Sequence, residues 1–486
     1  MELSILIEGR DRLSDQEYHG IRRAILDGRL AVNDRLPASR DLGRQLKVSR
    51  NTVLAAYERL TSEGYLRARV GSGTFVDQPL FANGQAKRNT PHTVAPRLSG
   101  FGRRLLPPQA IVPRRDLPFD FRPGIPDLKQ FPISAWRRIL ARQSRQLSPS
   151  SAYYGDAAGD ALLREAIAHH FSQSRALRCT GDDIIIVNGS QQALDIIARL
   201  LIELNDIVVV ENPAYPAALA TFRAAGARIL AVPVDNEGLC TDRLPKTAKL
   251  IYVTPSHQFP LGVPLALSRR RALLQWAEHN RVVVVEDDYD SEFRYGGRPL
   301  DALQGLDNCE SVIYLGTFSK VLFPSLRLGF VVPPPNLYQP FLAAKWITDR
   351  HTETGEQRII SEFIREGHLA RYIRRMQHVY FDRQQVLIES LKRHLPTISP
   401  LPAVAGLHLA GFLPNGFPVN ELIARSAATG VGLYSIAPFY ISTARAGLMF
   451  GFGSCNASDI AEGIVRMSKV YEAMARSSSS PVPEMI

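Results

Sequence analysis

Cysteine is scarce in this chain: four in 486 residues, Cys179, Cys240, Cys309 and Cys455, far apart and without a CxxC pair. That spacing suggests neither a disulfide framework nor a zinc site, so no metal is expected and the thiols read as reduced, in a cytoplasmic protein. No run approaches 18 apolar residues, which excludes an ordinary helical membrane span. The opening MELSILIEGRDR lacks a basic segment followed by a long apolar stretch, so no signal peptide is expected. No internal repeat is visible. Acidic residues are short too, 47 against 58 Lys and Arg, and the resulting +11 favours a polyanionic partner. Hydrophobic residues make up 45% of the chain, ample for a large core, and the length suggests about two to four domains.

The first 76 residues are helix-rich. Tyr18, Ile21, Ile25 and Leu26 have the spacing of an amphipathic helix, with Ser14 or Asp15 able to cap it and Gly28 ending it. Then comes LPASRDLGRQLKVSRNTVLAAYERLTSEGYLRARVGSGTFV, residues 36–76. Ser39, Arg40, Leu42 and Leu46 make a short helix, Val48 follows a tight turn, and Ser49 can cap a second helix. Val53, Ala56, Tyr57 and Leu60 share the inward face of that helix. Arg50, Asn51 and Thr52 fall in its first turn, where a recognition helix reaches base edges: Arg can fork onto guanine, Asn onto adenine, and Thr can touch a phosphate or a thymine methyl. Gly71 and Gly73 permit the tight turn of a wing hairpin.

Residues 77 to about 115 change character. Gly and Pro, among them Gly100, Gly102, Pro107 and Pro108, are expected to break any regular element, and Arg and Lys predominate. This reads as a flexible basic linker, either simply solvated or a supplementary phosphate-contacting arm. From residue 116 to about 475, β-branched runs at Ile184–Val187, Ile207–Val210, Leu250–Val253, Val282–Val285 and Val312–Leu315 alternate with helices such as Ala193–Leu204 and Leu267–Asn280. Buried strands alternating with helices imply a mostly parallel α/β sheet. A long helix near 370–393 and a mixed segment suggest a small carboxy-terminal α+β lobe, and residues 476–486 read as a disordered tail.

Within the α/β part, six sets of residues offer one chemistry in chain order. Ser190 and Gln191 open a helix after Asn188-Gly189, so their amides can face a phosphate, and Thr317, Ser319 and Arg327 can serve the same dianion. Tyr215, in ENPAY, can stack on a ring. Asp287 closes a strand and can hold a ring nitrogen protonated, and Tyr289 can donate to a phenolic oxygen. Lys320, in GTFSK, can form a Schiff base. The cofactor that needs all of these is pyridoxal 5′-phosphate.

The first 76 residues resemble the GntR family of bacterial regulators, in which positions matching Arg40, Arg50, Thr52 and the wing glycines Gly71 and Gly73 contact operator DNA; Ser49 and Asn51 lie in the same interface. Residues 119–467 resemble fold-type I aminotransferases, and the two together look like a MocR-type member of GntR. The resemblance implies a winged helix domain joined to an aminotransferase-like unit, with Lys320 as the Schiff-base lysine, Asp287 on the pyridinium and Tyr215 stacked. It also implies a homodimer in which Tyr154, in YGDAAG, reaches the phosphate of the neighbouring subunit. Two departures stand out. Phe259 takes the place of the usual Asn before Pro-x-Gly; His257 or Gln258 can substitute, or His257 is a structural histidine. Gly447 falls where an Arg usually clamps the substrate carboxylate, leaving Arg445 two residues away as the candidate effector contact. The implied function is a cytoplasmic regulator that binds double-stranded operator DNA and senses the cofactor or an amine through an aldimine, with weak or no transamination. The alternative is an active aminotransferase with an accessory DNA-binding domain.

Overall fold

In a computed structural model of the chain, residues 13–69, 71–77, 97–106, 117–146, 148–149, 153–295 and 300–478 are described. They fall into two units, Met1–Arg97 and Leu98–Ile486.

In the first unit α1 (Leu13–Leu26) buries Tyr18, Ile21 and Ile25, while Leu26, at its end, is 40% exposed because Gly28 turns the chain away at φ +74°. Helix α2 (Ser39–Leu46) stops at Lys47, whose left-handed backbone lets the Val48 amide bond back to Gly43 at 2.9 Å. The Ser49 hydroxyl accepts from the Thr52 amide at 3.1 Å and starts α3 (Arg50–Ser62). Val53, Ala56, Tyr57 and Leu60 on α3 complete a core with Leu42, Leu66 and Val76. Strands β1 (Leu66–Arg69) and β2 (Gly73–Val76) pair antiparallel, and Gly71 and Gly73 take the positive φ angles, +76° and +113°, of the turn between them.

The second unit starts with a correction. Gly100 and Gly102 do not break the chain: they lie in a short helix, α4 (Gly100–Arg104), because Ser99 caps it and Arg104 Nε donates to the Ala224 carbonyl at 2.9 Å. The rest of the expected linker, apart from Asp77 and residues 97–106, lies outside the described residues. After β3 (Phe119–Asp120), α5 (Ile133–Arg145) and α6 (Ala161–Arg175) come β4 (Ile185–Val187), α7 (Ser190–Leu201), β5 (Ile207–Asn212), α8 (Pro216–Ala225), β6 (Arg228–Asp235), β7 (Gly238–Leu239), β8 (Leu250–Val253), α9 (Leu267–Asn280), β9 (Val283–Asp288), α10 (Leu303–Leu306), β10 (Val312–Thr317) and β11 (Gly329–Val332). Strands β4 to β11 form one sheet ordered β4-β11-β10-β9-β8-β5-β6-β7. β10, β9, β8, β5 and β6 are parallel, whereas β11 runs antiparallel between β10 and β4, and β7 is antiparallel to β6. β8 and β10 are buried along their whole length, which is why their apolar runs do not alternate.

Helices α11 (Pro335–Asp349), α12 (Thr354–Arg365) and α13 (His368–His394) lead to the carboxy-terminal lobe. There β12 (Ser399–Pro400), β13 (His408–Phe412), α14 (Val419–Ala428), β14 (Val431–Gly432), β15 (Tyr434–Ser435), β16 (Gly447–Gly451) and α15 (Ala457–Ser478) include an antiparallel sheet ordered β12-β13-β16-β15, and β14 pairs with β3. α15 continues to Ser478, past the point where a tail was expected to begin, and residues 479–486 lie outside the described residues. Among the described residues no helix is long and apolar enough to cross a membrane.

Candidate functional site

The start of α3 presents Arg50 and Asn51 to solvent, with Thr52 half-buried and its hydroxyl 2.8 Å from that of Ser49. Arg50 Nε donates to the Ser39 hydroxyl at 3.4 Å, and Arg40, Arg44, Lys47 and Arg50 line a shallow concavity of about 350 Å³. The helix start is thus ringed by exposed cations. A polyanion meets both the positive end of the helix dipole and these side chains there.

The second unit holds a cavity of about 490 Å³ at the carboxyl ends of the parallel strands. Asp287, near the end of β9, lines it fully buried; burial raises its pKa to about 6. Its Oδ2 accepts from the Tyr252 hydroxyl at 2.7 Å, and Oδ1 has no hydrogen-bond partner. Lys320 follows β10, and its Nζ donates to the Gly124 carbonyl at 2.9 Å. Burial depresses the pKa of this amine, partly offset by Asp290. Ser190, at the first turn of α7, also lines the cavity; Gly189 before it has φ +78°, and no side chain caps the helix. Arg327, itself left-handed at φ +51°, aims its guanidinium at the Asn188 carbonyl, 3.2 Å away. A Cβ on Gly189 would stand 3.0 Å from that guanidinium. Thr317 and Ser319 complete this end, and the Ser319 hydroxyl has no partner. Tyr215 lines the wall, its ring edge-on to Phe259 at 5.6 Å.

Several expected residues stand elsewhere. Gln191 turns its side chain to the Thr221 hydroxyl, 2.7 Å away, and leaves the cavity wall. His257 is buried behind the wall with Nδ1 2.9 Å from Asp290, and Gln258 is held by the carbonyls of Pro213 and Phe259 at 2.7 Å, so neither replaces the Asn whose place Phe259 takes. Tyr289 does line the cavity, but its hydroxyl donates to the His257 carbonyl at 2.8 Å. Tyr154 is 75% exposed, with Arg350 over its ring at 4.7 Å, outside the cavity of its own chain.

Arg445 is a correction as well. Its guanidinium lies 3.5 Å over the Phe412 ring, on the surface, and it does not reach the cavity. Gly447 is sealed: a Cβ there would meet Ile436 at 2.5 Å and the Gly411 carbonyl at 2.9 Å, so no side chain fits. Met449, on the same face of β16, packs among Leu261, Ile436 and Phe439. Sequence reasoning passed over four polar side chains of the cavity lining, Arg122, Tyr252, Thr254 and His408, as well as Gly124, whose carbonyl holds Lys320. Burial pushes the His408 pKa down to about 3, so its ring is neutral. The FRPG stretch before a helix was the available signal for Arg122; Tyr252 and Thr254 had none beyond their strand.

Residues 124–413 match the family model of aminotransferase class I and II, and residues 13–76 match that of the bacterial regulatory proteins of the gntR family. The chain is 36% identical to a probable rhizopine catabolism regulatory protein MocR of Rhizobium meliloti, over 96% of this chain and 95% of that one. It is 31% identical to an HTH-type pyridoxine biosynthesis transcriptional regulator, PdxR, of Corynebacterium glutamicum, over 89% and 90% of the two chains. Among solved structures, a kynurenine aminotransferase of Pyrococcus horikoshii superposes with TM-score 0.70 at 30% identity, covering 75% of this chain and 92% of that one.

Fold and site together define a DNA-binding transcription regulator built on an aminotransferase-like unit that binds pyridoxal 5′-phosphate. The chain belongs to the MocR-type regulators of the gntR family. The cavity fits that cofactor on its own terms: Asp287 Oδ1 and the Ser319 hydroxyl are buried polar atoms lacking partners, which a pyridinium N–H and a phosphate oxygen would supply.

Proposed function

We propose that this regulator reads operator DNA with the start of α3 and senses an amine in the cofactor cavity, as a cytoplasmic homodimer. When bound, pyridoxal phosphate supplies an aldehyde that condenses reversibly with amines. The protein's part is to hold and tune. Ser190, Thr317, Ser319 and Arg327 take the phosphate, and Asp287 takes the ring nitrogen, a role in which an ionised carboxylate is held by the opposite charge. Tyr215 packs on the ring, with Tyr289 lying near it. Lys320, kept from full basicity by burial, is the amine that would hold the aldehyde. Tyr154, exposed in its own chain, is the group offered to a partner subunit's phosphate. On DNA, Arg50 and Asn51 meet bases, while Arg40, Ser49, Thr52 and the wing at Gly71 and Gly73 meet the backbone.

The observation that carries sensing over turnover is Gly447: the position of the substrate clamp is closed to any side chain, so tight general binding of α-amino acids is not built in. The test pairs two measurements on the loaded protein, turnover of common α-amino acids with keto acids, and operator affinity with and without amine. Negligible turnover with amine-dependent affinity supports the reading; brisk turnover with unchanging affinity favours an enzyme.

A further inference from the structure

The phosphate end of the cavity is braced from outside it. Lys345 on α11 is fully buried, and its Nζ donates to Asp349 Oδ1, one turn further on, at 2.6 Å. Burial lowers the pKa of this amine, partly offset by Asp349. Helix stability does not account for the pair. Asp349 is the last residue of α11, where the negative end of the dipole disfavours a carboxylate, and lysine before acid is the weaker order along a helix. The other oxygen of Asp349 faces the start of α7: Oδ2 accepts from Asn188 Nδ2 and from Gln192 Nε2, each at 2.7 Å. Gln192 Oε1 in turn accepts from the Asn188 amide at 2.8 Å, and the Asn188 carbonyl accepts from Arg327 at 3.2 Å. Asn188 is thus held by its side chain, its amide and its carbonyl, just before Gly189 at φ +78° and the uncapped first turn of α7. Ser190 and Arg327 line the cavity, whereas Asn188, Gln192 and Asp349 do not.

Resting on the reading of Ser190 and Arg327 as holders of the phosphate, we propose that Asp349 is a positioning residue for the cofactor phosphate: held by Lys345, it fixes the Asn188-Gly189-Ser190 turn so that the start of α7 and Arg327 converge on one dianion. A carboxylate suits this place because it accepts on both oxygens, and the Lys345 ammonium and the Asn188 and Gln192 amides all donate. An asparagine at 349 has one acceptor oxygen, so its own amide group would face either the ammonium or the other two amides. The ring and aldehyde of the cofactor fall to Asp287, Tyr215 and Lys320, which the brace does not touch. Loosening it therefore weakens the phosphorylated cofactor and spares the same ring without phosphate.

The experiment uses the full chain freed of cofactor, titrated with pyridoxal 5′-phosphate and with pyridoxal, with binding read from visible absorption. Wild type should bind the phosphorylated form about 100-fold or more tighter than pyridoxal. Asp349→Asn should weaken the phosphorylated form about 10–100-fold and pyridoxal less than about threefold. Adding Lys345→Met to Asp349→Asn should bring the phosphorylated form back to within about threefold of wild type, because the asparagine oxygen can then face Asn188 and Gln192 with no ammonium competing for it. Asn188→Ala keeps the Lys345–Asp349 pair and should show the same split at about 3–10-fold; it decides the matter if Asp349→Asn does not fold. Equal weakening of both forms, or of neither, overturns the assignment, as does a double variant that binds no better than Asp349→Asn. A wild type that binds both forms equally overturns the phosphate reading beneath it as well.

Discussion

The two units place their functional groups in opposite ways. In the head, the groups proposed to act stand outside a small apolar core, with Arg40, Arg50 and Asn51 in solvent and Leu42, Val53 and Leu60 fully buried beneath them. In the second unit they lie inside, where Asp287 is buried with one oxygen unpartnered and Lys320 is drawn toward neutrality. An exposed cation costs little to keep and works through a long-range field. A buried carboxylate is costly unless something arrives to pair it, which makes the cavity responsive to what it holds. The head therefore suits constant recognition and the cavity suits a change of state.

The largest expected effect breaks the cavity alone. Lys320→Ala should abolish the protein-linked, borohydride-reducible chromophore while the chain stays folded, checked by absorption spectroscopy and mass spectrometry of the reduced protein. A label still attached to protein would place the linkage on another residue. Next comes the opposite cut. Arg50→Ala should cost about 1–3 kcal/mol of specific binding per half-site, counted twice in a dimer, with cofactor loading unchanged. Unchanged operator affinity in a band-shift titration would move the reading face away from α3.

How far each unit could be read from sequence follows the same contrast. The head was legible because its parts are local: the Ser49 cap, the turn at Lys47 and the inward residues of α3 all follow from spacing within a few turns. The parallel strands β5, β8, β9 and β10 were legible to within a few residues for a similar reason, although the parallel β6 and the antiparallel β11 between β4 and β10 were not foreseen. The cavity was half-legible. Ser190, Asp287 and Lys320 sit at strand ends in familiar order, but Gly124 holds Lys320 through its carbonyl only because the chain brings together segments almost 200 residues apart, and nothing local marks that contact. Arg445 misled because proximity in sequence to Gly447 does not survive the turn into β16, where its side chain stacks outward on Phe412.

Smaller effects sharpen the contrast from the other side, since one head residue behaves like a cavity residue. Glu17 is fully buried, neither carboxylate oxygen has a partner, and burial raises its pKa to about 7. Between its ordinary value near 4.5 and about 7 the folded head holds a proton that the unfolded chain releases, so head stability should fall as pH rises through that window. Glu17→Leu should remove that slope and stabilise the head by about 1–3 kcal/mol in thermal unfolding. A destabilised variant would mean the carboxylate has a partner that offsets its burial. Smaller still, Ser49→Ala should cost about 1 kcal/mol of head stability through the lost cap to Thr52, read in the same unfolding experiment.

The central claim is that cavity and head are energetically coupled, and linkage gives it a direct measurement. Operator affinity of the pyridoxal-phosphate-loaded wild type, titrated at fixed salt with and without a saturating amine, should differ by about 5–150-fold, and DNA should shift amine affinity by the same factor. Operator affinities equal within experimental error, with the amine demonstrably bound, would contradict it.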